Sequence, residues 1–144
     1  MCCLMAFVLI LTCSCCKTSK RGVKTEKYPL TGTKWMLVSL QGEEFSKEFA
    51  LHPFIVFDTA GGFQGNLGCN SFFGTYEVSK KQKMKFQFEG ATKRLCSKME
   101  VERRFLIVLK RDVTRYELTD DELKLFCDNE ELMCFKGVNL EEME

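Results

Sequence analysis

The sequence predicts a mainly β fold: a strongly curved antiparallel sheet or small barrel of about seven to eight short strands, with one α-helix inserted. Three observations carry this expectation. Short apolar runs recur along the chain, each closed by Gly, Asn, Asp or a lysine-rich turn. Met84, Phe86 and Phe88 alternate with Lys83, Lys85, Gln87 and Glu89, the period of a strand with one buried and one wet face. A helical stripe occurs once, after Ser97. The chain of 144 residues is long enough for one domain with its own core, and 12% aromatics with two prolines exclude a disordered body.

The elements follow in order. Trp35–Leu40 is rich in β-forming residues and stops at Gln41-Gly42. Phe54-Ile55-Val56-Phe57 stops at Asp58 and Gly61-Gly62, which predicts a hairpin into Phe63–Leu67. Thr75–Val78 leads through Ser79-Lys80-Lys81-Gln82 into Met84–Phe88. The helix opens on Ser97-Lys98-Met99-Glu100, which has capping-box spacing. Val101, Phe105, Val108 and Leu109 then form its apolar stripe, and Lys110 and Arg111 lie where the C-terminal dipole favours cations. Thr114–Leu118, Leu123–Cys127 and Leu132–Phe135 complete the strands, the last two joined by a hairpin loop at Asp128–Glu131.

Nine cysteines are unevenly placed: Cys2, Cys3, Cys13, Cys15 and Cys16 crowd a stretch that ends before the first charge, Lys17. Leu4–Leu11 is unbroken apolar sequence, too short for the roughly 20 residues of a bilayer crossing but suited to an export signal. Thr12-Cys13-Ser14-Cys15-Cys16 behind it resembles a bacterial lipobox, in which a small residue precedes the lipidated cysteine. Ser14 makes Cys15 the first choice; Cys13, with Ile10 three residues ahead, is the competitor, and Cys16 is the remaining candidate. The expected organisation is a signal peptide at 1–15, a polar tether at 16–29, a domain at 30–137 opening through Tyr28-Pro29-Leu30-Thr31-Gly32, and an acidic tail at 138–144. Acyl chains at the new N-terminus would hold the domain on a membrane of the bacterial envelope.

A net charge of +1 excludes a protein built to coat nucleic acid. Lys80, Lys81, Lys83 and Lys85 form a local basic patch, but the interleaved phenylalanines face the other side of their strand. Catalysis has few candidates. Every Ser-His-Asp or Cys-His arrangement would need His52, the single histidine, which stands in no local motif. Cys69, Cys96, Cys127 and Cys134 include no Cys-x-x-Cys pair, and no phosphate-loop pattern exists, so neither metal nor cofactor is expected.

The most specific stretch is Gly68-Cys69-Asn70-Ser71-Phe72-Phe73-Gly74-Thr75-Tyr76. It reads as a strand broken by a sharp bend. Gly68 and Gly74 lend backbone freedom, Asn70 can bond its own backbone, and Phe72 and Tyr76 return to the core. The segment resembles the Gly-Cys-Asn-x-Phe-x-Gly-x-Tyr signature of the META domain, the family that includes the heat-shock protein HslJ. Gly32-Thr33-Lys34-Trp35 with Leu37 resembles that family's opening motif. Thr92 and Cys96 match its Thr-x-Met-x-Cys, with Arg94 in place of Met, and Glu100 resembles the glutamate that leads its helix.

The resemblance covers Leu30 to about Lys136. It implies a lipocalin-like barrel with one helix, an envelope setting often reached as a lipoprotein, links to stress tolerance, and no agreed catalytic residue. It also implies that Cys69 and Cys96 lie near each other, either as a disulfide or as a pair of small buried thiols. Cys127 and Cys134 are expected on one face of the last hairpin, reduced. The function expected is that of a monomeric, non-catalytic, membrane-anchored envelope protein that binds a protein or envelope component. A carrier of a small apolar ligand is the alternative.

Overall fold

The computed structural model describes residues 27–45, 52–97, 99–111 and 113–139. The lipidation candidates Cys13, Cys15 and Cys16, the signal peptide and the tether up to residue 26 lie outside these residues, as does the tail from residue 140. The strands are β1 (Lys34–Leu40), β2 (Glu43–Glu44), β3 (Phe54–Phe57), β4 (Gly62–Asn66), β5 (Ser71–Ser79), β6 (Lys83–Ala91), β7 (Arg115–Leu118), β8 (Glu122–Cys127) and β9 (Glu130–Val138). One helix, α1 (Met99–Arg111), lies between β6 and β7.

The fold is a closed antiparallel barrel of eight strands in the order β1-β3-β4-β5-β6-β7-β8-β9, with β9 returning to β1; the short β2 pairs outside it on β1. The β6–β7 seam is the thinnest, with Lys83 opposite Arg115 as its one ladder pair. Because neighbours are antiparallel, the turns gather at two ends. The first end holds the incoming segment Tyr28–Thr33 and the β3–β4, β5–β6 and β7–β8 turns. The second holds the β1–β2 turn, the β4–β5 corner and the connection from β6 to α1.

Side chains fill the barrel. Rings touch in one continuous series from the first end to the second: Tyr76 to Phe57, Phe57 to Phe86, Phe86 to Phe63, Phe63 to Phe72, Phe72 to Phe105 and Phe105 to Phe135, with centroids 4.9–6.1 Å apart. Phe105 meets rings from β5 and β9, strands on opposite sides of the barrel, so α1 stoppers the second end. The helix stripe expected from sequence is the face that does this: Phe105, Val108 and Leu109 are buried. At the first end Tyr28 lies buried against the core, with its ring over Gly137, so the folded unit begins upstream of Leu30. Trp35 is buried in the core and donates from Nε1 to the Leu30 carbonyl at 3.0 Å. Among the described residues, no helix is long and apolar enough to cross a membrane.

Three local expectations are corrected. The signature is not a strand broken midway: the bend is confined to Leu67–Asn70, and β5 then runs unbroken to Ser79. Gly74 serves instead at a bulge, where an added Cβ would collide with the Gln87 carbonyl and the Phe63 ring. The final hairpin turns on Asp128-Asn129 alone, because Asp128 adopts a left-handed φ of 51° that lets Cys127 pair directly with Glu130.

The third correction follows from a one-residue bulge in the same hairpin, between Leu125 and Phe126. Leu123 and Leu125 pair inside the barrel with Phe135 and Met133. Cys134, opposite Lys124, therefore faces outward, while Cys127 packs on the core, so the two thiols are on opposite faces. Burial, and next the Glu122 carboxylate, pushes the Cys134 thiol up to about 11. Only the thiolate is nucleophilic, so alkylation of Cys134 by iodoacetamide at pH 8 is expected to run about a hundredfold slower than that of an exposed cysteine peptide. A mass-spectrometric time course showing equal rates would contradict this burial.

Candidate functional site

The signature residues converge at the corner between β4 and β5. Gly68 takes φ +109°, a conformation glycine adopts without strain, and its N–H donates to Asn66 Oδ1 at 2.7 Å. The Leu67 N–H donates to the Asn70 carbonyl at 2.8 Å, closing the bend. The bend aims successive N–H groups at a carboxylate on α1: Cys69 N and Asn70 N donate to Glu102 Oε1 at 2.9 and 3.0 Å. Asn70 Nδ2 donates to Glu102 Oε2 at 2.8 Å. Glu102 is 6% exposed and Asn70 4%.

Asn70 then fastens the segment leaving β6. Its Nδ2 also donates to the Arg94 carbonyl at 3.1 Å, while its Oδ1 accepts from Arg94 N at 2.7 Å and from Thr92 Oγ1 at 2.9 Å. Thr92 Oγ1 in turn accepts from Ser71 N at 3.1 Å. An asparagine amide offers two donors and one carbonyl oxygen with two lone pairs, and here every one is used. The disulfide Cys69–Cys96, with Cα atoms 6.5 Å apart, ties the same two segments covalently. Among the described residues, no buried side-chain nitrogen or oxygen lacks a partner.

The structure thus gathers Gly68, Cys69, Asn70, Thr92 and Cys96 at one corner. Phe72 lies in the core beneath it, and Gly74 and Tyr76 follow further along β5. Tyr76 donates its hydroxyl to the Asp58 carbonyl at 2.8 Å; burial, and next the Asp58 charge, raises its pKa. Trp35 is part of the core rather than the corner. Arg94 contributes through its backbone and keeps its side chain exposed, which is why a residue other than Met is accommodated there.

The residue missed from sequence is Glu102. Glu100, which resembled the helix-leading glutamate, is exposed and pairs with Arg103 at 3.9 Å. The available signal was the stripe itself: Glu102 lies three residues before Phe105, on the inward side of the helix. His52 stands half-buried ahead of β3, and the corner's polar atoms are partnered by Thr92, Arg94 and Glu102 instead. Among the described residues, no three His, Cys, Asp or Glu side chains are grouped to hold a metal. Chemically, the corner is a fastener for one helix and two strands.

A closed antiparallel barrel stoppered by one helix, with a Gly-Cys-Asn corner clamped on a helix carboxylate, defines the class of protein. The META domain family model matches residues 28–139, and the chain belongs to that family. Solved structures share the fold. A protein of Burkholderia xenovorans solved by NMR is 23% identical, covers 76% of this chain and 83% of its own, and has a TM-score of 0.59. A second NMR structure is 21% identical over 74% and 89% of the two chains, with a TM-score of 0.57. A DUF4847 family protein from Bacteroides vulgatus, a crystal structure, is 15% identical over 74% and 93%, with a TM-score of 0.56. No curated protein matches the chain.

Proposed function

We propose that this chain is a non-catalytic, lipid-anchored envelope protein, active in stress tolerance, that works by presenting its outer surface to a protein or envelope component. The observation that supports this most is the barrel interior, occupied from end to end by its own rings and by Trp35, Met84, Leu123 and Leu125. Among the described residues the core side chains pack along the barrel axis, which favours a displayed surface over a carrier of small apolar ligands. The corner's donors and acceptors are spent on one another, so it serves as a fastener rather than as a reactive centre.

The leader supplies the anchor in this reading, with Cys15 as the acylated residue and the domain facing away from an envelope membrane. The domain acts as a monomer, without cofactor and without nucleic acid. The test is metabolic palmitate labelling of the full chain in a bacterial host. Wild type takes the label and Cys15→Ala loses it. Undiminished label in that variant moves the site to Cys13 or Cys16, and an unlabelled wild type removes the anchor.

A further inference from the structure

Leu95 is 92% exposed, yet the backbone on both sides of it is pinned. Arg94 exchanges two hydrogen bonds with the Asn70 amide, and Cys96 is covalently tied to Cys69. A single exposed leucine is ordinary; one held out between two clamps beside other apolar groups is not. Met99, itself 39% exposed, lines with Ala91, Leu95 and Leu106 a groove of about 370 Å³ between the clamped segment and α1. Around it stand Lys93, Arg94 and Arg103. Of the nearby carboxylates, Glu102 is turned inward to Asn70 and Cys69, and Glu100 lies 3.9 Å from Arg103 with both side chains exposed, which leaves Lys93 and Arg94 to set the sign of the rim.

We propose that this clamped corner is a docking surface for an acidic polypeptide segment. The segment's apolar side chains pack in the groove against Leu95 and Met99, while its Asp or Glu residues meet Lys93, Arg94 and Arg103. The charge of the rim selects the partner's sign, and the preformed backbone lowers the ordering cost of binding. Placement favours a polypeptide over a lipid surface. The chain enters the barrel at Tyr28, at the first end, whereas the groove lies at the second. In a domain attached through its N-terminus, the groove is thus at the end of the barrel remote from the attachment point. The inference rests on the partner-binding reading above and specifies its site.

The test is selection from a random twelve-residue peptide library on the full chain, followed by affinity measurements on variants with unchanged circular dichroism. The expected peptides combine apolar residues with Asp or Glu. Leu95→Ala and Arg94→Glu each weaken them at least tenfold, and Lys81→Glu, at the other end of the barrel, leaves them unchanged. Enriched peptides that bind Leu95→Ala as tightly as wild type overturn the docking surface while partner binding elsewhere survives. A selection that enriches nothing overturns both. Flotation with phosphatidylglycerol vesicles that Leu95→Ala abolishes would reassign the corner to a membrane.

Discussion

Glu102→Leu lowers the unfolding free energy of the domain by about 3–5 kcal/mol, read from urea titration. The side chain is buried and accepts from Cys69 N, Asn70 N and Asn70 Nδ2. Leucine fills similar space but accepts nothing, so three donors lose their partner in a site with little access to water. The loss is a large share of the 5–15 kcal/mol that stabilises an ordinary domain. Glu102→Gln is expected to cost less, about 2 kcal/mol, because its carbonyl oxygen still serves the two backbone donors and only the contact with Asn70 Nδ2 turns into donor against donor. Glu100→Leu, on the exposed turn before it, changes stability by less than about 0.5 kcal/mol. Equal effects at 100 and 102 would show that the buried carboxylate does not hold the corner.

Removing the disulfide has a comparable effect by a different route. The bridge closes a sequence separation of 27, and loop-closure entropy for that span gives about 3.5 kcal/mol. The paired Cys69→Ser/Cys96→Ser variant is expected to unfold at correspondingly lower urea, and reductant should destabilise the wild type but leave the variant unmoved. The two perturbations meet at one corner, since Cys69 supplies both a sulfur and a donor to Glu102. Their effects should therefore depart from additivity by at least about 0.5 kcal/mol in a double-mutant cycle. Strict additivity would mean that the covalent tie and the carboxylate act on separate parts of the fold.

The barrel was legible from sequence because its signals are local. Alternation in β6 and the Gly61-Gly62 turn each depend on residues a few positions apart. The helix was equally visible, from the spacing of Phe105, Val108 and Leu109. The clamp was not, because its partners are 32 residues apart and meet only once the barrel has closed. Glutamate on an apolar stripe reads as a boundary of the stripe until the donors it serves are in place. The final hairpin was misread for a related reason. Four polar residues, Asp128 to Glu131, look like a loop, but the left-handed Asp128 and the bulge between Leu125 and Phe126 allow a tighter turn. The tighter turn shortens the loop by two residues and keeps each side chain on its face; the one-residue bulge is what puts Cys127 and Cys134 on opposite faces.

Closure of β9 on β1 has a consequence for how the domain can be connected. Lys34 pairs with Val138, so the chain departs beside the point at which it arrived. A module with adjoining ends can be spliced into a surface loop of another protein without stretching its host. By the same geometry, a short linker joining those ends, with a new break in the β5–β6 turn, would give a circularly permuted molecule with every barrel pairing retained.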